Sequence, residues 1–127
     1  MSLWAYKYFI KSKKIWYRNR SLMTDNGIKR YKKRKPLIKF SNRKKILSQI
    51  KCIDKIIPID GLKYVEYSKF YKFDYFVHGT DWKKNIQSNV RLRLIKTMKK
   101  WSGKVLEFPY TRGISSSKLK KSLYEKI

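Results

Sequence analysis

Two short segments hold the residues of this chain best placed to do chemistry: Gly79-Thr80-Asp81-Trp82 and Pro109-Tyr110-Thr111-Arg112-Gly113-Ile114-Ser115-Ser116-Ser117. In the second, Gly113 permits a sharp turn, and three consecutive serines open a helix whose first backbone N–H groups have no partner inside the helix. A capping box would put Glu or Gln three residues after Ser115, but Lys118 stands there, so nothing in the segment neutralises that N-terminus. Such an end suits a phosphate; the same residues also describe an ordinary serine-capped helix. Metal and redox chemistry has little to work with. The chain has one cysteine, Cys52, and one histidine, His78, which exclude a disulfide framework and a Cys- or His-rich metal site. His78 lies in an apolar run and reads as a packing residue or the partner of a backbone group.

These segments need elements to position them. Ser41 is a candidate N-cap for a helix carrying Ile46, Leu47, Ile50 and Ile53. Residues 54–59 form a short apolar run with Pro58 near its end, closed by Asp60-Gly61, which suits a buried strand. A second helix is expected over 65–71 and a second strand over 74–78, stopped by Gly79-Thr80-Asp81-Trp82. Ile86, Val90, Leu94, Met98 and Trp101 then mark one face of a long amphipathic helix. A third strand over 104–109 and a closing helix over 115–126 complete the pattern. Strands alternating with helices imply an α/β fold, a parallel sheet joined by crossover helices, with ligands at the carboxyl ends of the strands. Both candidate segments begin where a strand ends.

The chain carries 34 Lys and Arg against eight Asp and Glu, a net charge of +26 over 127 residues, yet 42% of it is hydrophobic and 16% aromatic, too much for intrinsic disorder. That balance fits a single small domain with either a solvated basic surface or a phosphate-bearing partner. No run is long and apolar enough for a bilayer span, and the stretch from Leu3 to Ile10 lacks a cleavage site, so a cytoplasmic location is expected. Residues 1–23 mix Lys7, Lys11, Lys13, Lys14, Arg18 and Arg20 with Trp4, Tyr6, Tyr8, Phe9, Trp16 and Tyr17 in neither a helical nor a strand period. They read as a basic aromatic arm or a poorly specified helix. Interleaved aromatic and basic side chains of this kind can hold single-stranded nucleic acid.

The order Thr24-Asp25, Tyr31-Lys32, Pro36, Phe40 and Arg43, then Ile53-Asp54-Lys55-Ile56-Ile57-Pro58, Phe73-Asp74, Gly79-Thr80-Asp81-Trp82 and Thr111-Arg112-Gly113-Ile114-Ser115-Ser116-Ser117 resembles the cytidylyltransferases, enzymes that join CTP to glycerol 3-phosphate, phosphocholine or phosphoethanolamine. The resemblance spans about residues 22–124. It implies a Rossmann-like nucleotidyltransferase fold, use of CTP with a divalent metal such as magnesium, and a place in phospholipid or cell-wall precursor synthesis. The substrate phosphate would attack the α-phosphorus of CTP directly, with pyrophosphate leaving. By the same resemblance Thr111, Gly113, Ile114, Ser115, Ser116 and Ser117 form the nucleotide-binding turn, with Asp81 and Trp82 at the neighbouring strand exit. Lys32 would be the catalytic cation, and Lys32, Arg34, Arg43 and Lys63 would meet the substrate phosphate. Thr80, Tyr110 and Arg112 replace residues usual in the family. Many relatives pair as homodimers.

The family's Gly-x-Phe-Asp turn and His-x-Gly-His helix start do not occur in this sequence. On this reading residues 24–127 correspond to the C-terminal part of an N-terminally truncated cytidylyltransferase-like domain, residues 1–23 have no family match, and turnover should be very low. The competing class is a small basic nucleic-acid-binding protein that uses the N-terminal arm and the run from Lys29 to Lys35. It predicts RNA binding with a steep salt dependence and no competition from CTP.

Overall fold

The computed structural model describes residues 17–84, 87–113 and 115–125, without the side chains of Ser116 and Ser117. Trp4, Tyr6, Tyr8, Phe9 and Trp16 of the N-terminal arm, Ile86 of the long helix, and Ile114 of the serine turn lie outside the described residues.

Among the described residues, four short strands and five α-helices follow in the order β1 (Asn19–Met23), α1 (Asp25–Lys32), α2 (Phe40–Ser48), β2 (Lys55–Ile59), α3 (Tyr64–Tyr71), β3 (Tyr75–Gly79), α4 (Gln87–Met98), β4 (Lys104–Phe108) and α5 (Ser116–Tyr124). Single 3-10 turns follow β3 (Thr80–Lys83) and α4 (Lys99–Trp101). The strands form two parallel pairs. Asn19 to Met23 of β1 run beside Lys55 to Ile59 of β2, and Tyr75 to Gly79 of β3 beside Lys104 to Phe108 of β4, each in unbroken register. This is the expected α/β architecture of parallel strands and crossover helices, consistent with a Rossmann-like nucleotidyltransferase fold.

The main core lies between α3, α4 and the β3–β4 pair. Val65, Trp82, Leu94 and Met98 are buried at its centre, with Tyr64, Phe73, Phe76, Trp101 and Val105 packed around them. The expected stripe on α4 is therefore real where it is described: Leu94 and Met98 are fully buried, each worth roughly 1.5–3 kcal/mol relative to exposure. Gly103 closes the base of this core, since a Cβ there would meet the Phe73 carbonyl at 2.8 Å and Met98 Cε at 2.9 Å. A smaller apolar group, Leu47 of α2 with Ile57 and Ile59 of β2, is buried under the first pair.

Two local expectations fail, each for a non-local reason. Residues 19–23, read as part of an arm, form β1, because the Arg18 backbone and side chain both bind Asp54: Arg18 N–H donates to Asp54 Oδ2 at 2.7 Å and Asp54 N–H donates to the Arg18 carbonyl at 3.0 Å. That clamp sets the β1–β2 register, and no periodicity within 1–23 could reveal it. Helix α1, in a stretch given no element from sequence, is capped locally by Thr24, its Oγ1 accepting from the Gly27 N–H at 3.1 Å. Helix α2 starts at Phe40 rather than after Ser41, because the Phe40 N–H is capped from a distance by Asp25 Oδ2 at 3.1 Å. It ends at Ser48, and Ile50 and Ile53 lie in successive turns closed by Ile50 N–H to the Leu47 carbonyl and Ile53 N–H to the Ile50 carbonyl.

The first turn of α1 and the loop after β2 pack backbone to backbone. A Cβ on Gly27 would lie 2.6 Å from the Gly61 nitrogen and 3.0 Å from Met23 Cγ. Although Ala is favoured over Gly in a helix by about 1 kcal/mol, Gly27→Ala is expected to lower stability by a net ~1–3 kcal/mol. A urea unfolding midpoint that rises in the variant would contradict this contact.

Candidate functional site

The carboxyl ends of β3 and β4 converge on one place. Tyr110, just after β4, lays its ring against Gly79 at the end of β3, so closely that a Cβ on Gly79 would meet Tyr110 Cε2 at 2.7 Å and Oη at 2.8 Å. Asp81 sits beside it. Burial raises the Tyr110 phenol above its ordinary value and the neighbouring Asp81 carboxylate raises it further. Tyr64, at the start of α3, has its phenol raised mainly by burial, with Tyr31, Asp81 and Tyr110 contributing in the same direction and Arg20 opposing. Residues from β1, α1, α3 and both β3 and β4 exits thus share one electrostatic neighbourhood. Tyr31, next to Lys32, is tied to the start of α4 by a hydrogen bond from Gln87 Nε2 to its hydroxyl, 2.5 Å.

Beneath this surface Trp82 is wholly buried. His78 stacks on one side of it at 4.0 Å between ring centroids and 7° between planes, and Phe76 stacks on it at 5.9 Å and 10°. The His78 Nδ1–H donates to the Gly79 carbonyl at 2.9 Å, the packing and backbone role expected for it, and lies 3.7 Å from Asp81 Oδ1. The Trp82 indole N–H donates to Glu107 Oε1 at 2.6 Å. Arg91 of α4 grips the same carboxylate through Nε at 2.5 Å and Nη2 at 3.0 Å, and Lys83 Nζ lies 3.4 Å from Oε2. The Arg91 hydrogen bonds, with help from Trp82, hold the Glu107 carboxyl at about 2 against its ordinary 4.5. Glu107 therefore ties β4, the turn after β3, and α4 into one unit. Sequence reasoning missed it, yet a signal existed: it is an acidic residue between Leu106 and Phe108 of a strand, opposite His78 in the register.

The serine turn follows directly from Tyr110. Gly113 has φ +83°, the left-handed conformation for which glycine is suited. Ser115 caps α5, its Oγ accepting from the Lys118 N–H at 3.1 Å, and no acidic residue occupies the first turn of that helix. Thr111, Arg112, Gly113 and Ser115 are all exposed. The cap predicted from sequence is thus present, on a helix that follows β4 in the chain and has no acidic residue in its first turn.

The other predicted residues divide. Asp81 faces outward with its side chain 52% exposed, whereas buried Trp82 supports the exit from behind. Lys32 and Arg34, at the end of α1 and just beyond, are exposed. Arg43 is committed within the fold: its Nη2 donates to Asp25 Oδ1 at 2.6 Å, Nη1 to the Met23 carbonyl at 2.8 Å and Nε to the Ile38 carbonyl at 2.9 Å. It shapes the β1 exit rather than reaching beyond it. The Phe40 N–H and Arg43 together hold the Asp25 carboxyl below its ordinary value. Lys63 lies 3.9 Å from Asp60 Oδ2, on a carboxylate already paired with Arg30 and receiving the Thr24 hydroxyl at 3.3 Å. The Arg30 hydrogen bond is the first cause of the lowered Asp60 value. Among the described residues, no three His, Cys, Asp or Glu side chains gather into a metal-holding group.

A family model described as cytidylyltransferase-like matches residues 13–122 of the chain. No curated protein matches it.

Glu107 gives the site an acid limit. Its folded value lies below its unfolded one, so the folded state binds fewer protons, and its contribution to stability is complete above about pH 4.5 and lost as pH falls toward 2. Glu107→Gln is expected to cost about 3 kcal/mol at neutral pH and to flatten the fall in stability between those pH values. Denaturant titrations at pH 7 and pH 3 that change by equal amounts in wild type and variant would refute that assignment.

Proposed function

The chain belongs to the cytidylyltransferase-like family, and we propose that it is a nucleotidyltransferase-type domain that binds CTP at the β3–β4 exit and a phospho-alcohol of the glycerol 3-phosphate, phosphocholine or phosphoethanolamine class beside it. The observation that carries this reading is the serine-capped, acid-free N-terminus of α5, which follows a positive-φ glycine immediately beyond the strand exit. Backbone N–H groups there and the Thr111 and Ser115 hydroxyls are the donors for the CTP phosphates.

In the proposed reaction an oxygen of the substrate phosphate attacks the α-phosphorus of CTP. A new P–O bond forms as the bond to the β-phosphate oxygen breaks, and pyrophosphate leaves with the electron pair. Lys32 would stabilise the charge on the transferring phosphoryl group, with Arg34 on the phosphate of the second substrate. Magnesium, when bound with the triphosphate, would neutralise phosphate charge. Asp81 is the carboxylate that fits this role, because it is exposed at the exit while Asp25 and Asp60 are held by arginines. One carboxylate plus substrate phosphates is an ordinary magnesium site.

Two preorganised imidazoles, supplied in the family by His-x-Gly-His, have no counterpart in this sequence, whose single histidine is stacked on Trp82. Loss of one such donor typically costs about 10²–10³ in rate, so nucleotide binding without appreciable turnover is the expected behaviour of this chain alone. Calorimetric titration with CTP and magnesium, set against ATP and a short RNA, tests the assignment. CTP should bind in preference to ATP, Ser115→Ala should weaken binding by about tenfold through loss of one phosphate-facing hydroxyl and its cap, and Lys32→Ala should abolish it. Folded protein that ignores CTP, or that releases it to RNA, would refute the reading.

A further inference from the structure

Between Lys29 and Lys45 the chain carries ten Lys and Arg and no acidic residue. Two of these cations are paired within the fold, Arg30 with Asp60 and Arg43 with Asp25. The other eight are exposed and make no ion pair with any described residue. Aliphatic side chains that the fold leaves uncovered are set among them. Leu37 is 95% exposed, Ile46 58% and Ile38 49%. Leu37 and Ile38 stand between Lys35 and Lys39, and Ile46 follows Lys44 and Lys45 on α2. The hydrogen bond from Arg43 Nε to the Ile38 carbonyl ties the loop to that helix, so the lysines and the aliphatic residues are presented by one connected piece of structure.

We propose that this loop and α2 dock on an anionic lipid surface, with the free cations meeting headgroup phosphates while Leu37, Ile38 and Ile46 enter the boundary with the acyl chains. A soluble polyanion would satisfy the charge but would leave a fully exposed leucine in water. Nucleic acid is held by aromatic and guanidinium stacking on bases, whereas the apolar side chains this stretch exposes most are aliphatic: Leu37, Ile46 and Ile38 are each more exposed than Tyr31 at 39%, and Phe40 is half-buried. Clustered lysines with interspersed aliphatic side chains are what an interfacial element carries. No described helix is long and apolar enough to cross a membrane, so the chain would lie on the surface. Lys32 and Arg34 of this stretch are already given to the nucleotide and its co-substrate, so the lipid contact is carried by Lys29, Lys33, Lys35, Lys39, Lys44 and Lys45.

The test is cosedimentation of the full chain with phosphatidylcholine vesicles, with and without phosphatidylglycerol. Each basic side chain at the surface multiplies binding by about fivefold, so the double variant Lys44→Gln/Lys45→Gln should bind the anionic vesicles roughly 25-fold more weakly. Leu37→Ser/Ile38→Ser should also weaken binding, with the charge unchanged. Both pairs are exposed, and matching thermal melts would show that the fold is retained. Binding to anionic but not to neutral vesicles, reduced in both variants, supports the proposal. Three results overturn it: no binding to anionic vesicles, binding indifferent to Leu37→Ser/Ile38→Ser, or tighter binding to an RNA oligomer at equal phosphate concentration that is likewise indifferent to that change.

Discussion

The Glu107 carboxylate is the interaction on which the candidate site rests. It sits in β4 opposite His78, accepts from the buried Trp82 indole and from Arg91, and lies beside Lys83. A carboxylate so placed is tolerable only because its partners are already there; removing any one leaves a partly desolvated charge or donor unpaired. Through it the turn after β3 is locked to α4, Trp82 is fixed in the core, and the Asp81 and Tyr110 side chains receive a rigid floor. Precision at the strand exits therefore originates one layer below the surface that would meet a ligand.

The same logic recurs at the ends of β1 and β2. Asp54 joins the starts of β1 and β2 through Arg18, Asp25 joins the β1 exit to α2 through Arg43 and the Phe40 N–H, and Asp60 gathers Arg30, Lys63 and Thr24 at the β2 exit. With eight acidic residues in the whole chain, four hold strand junctions. The cations outnumber them so heavily that most lysines have no structural task, which is why the charge of the chain by itself says little about its fold and leaves so much of it free at the surface.

Much of the fold was legible because it is local. The α4 stripe of Val90, Leu94 and Met98, the runs read at 54–59, 74–78 and 104–109, and the serine cap of α5 all announce themselves through periodicity or residue type. What escaped was set at long range. Strand β1 depends on Asp54, and the start of α2 on Asp25, fifteen residues before it. In the site, the serine turn and Asp81 were readable from their types and their places after strands. Arg43 and Lys63 were not, since only the fold shows that their charges are engaged by Asp25 and Asp60. Glu107 was overlooked because an acid in a strand has no motif, and Tyr64 because nothing in its sequence neighbourhood predicts that it packs against Phe76, His78 and Trp82.

The division between junction acids and unemployed lysines has a consequence for how this sequence can drift. Outside the stretch from Lys29 to Lys45, exchange of an exposed lysine for asparagine or isoleucine changes a solvated side chain and little else, so many such positions can vary almost independently of one another. A change at Asp25, Asp54, Asp60 or Glu107 strands an arginine and unfastens two elements at once, and repair would require a second change at a residue distant in the chain. Tolerance to substitution in this protein is thus strongly asymmetric in charge: neutral variation should accumulate on the cationic side, while the few anions change only together with their partners.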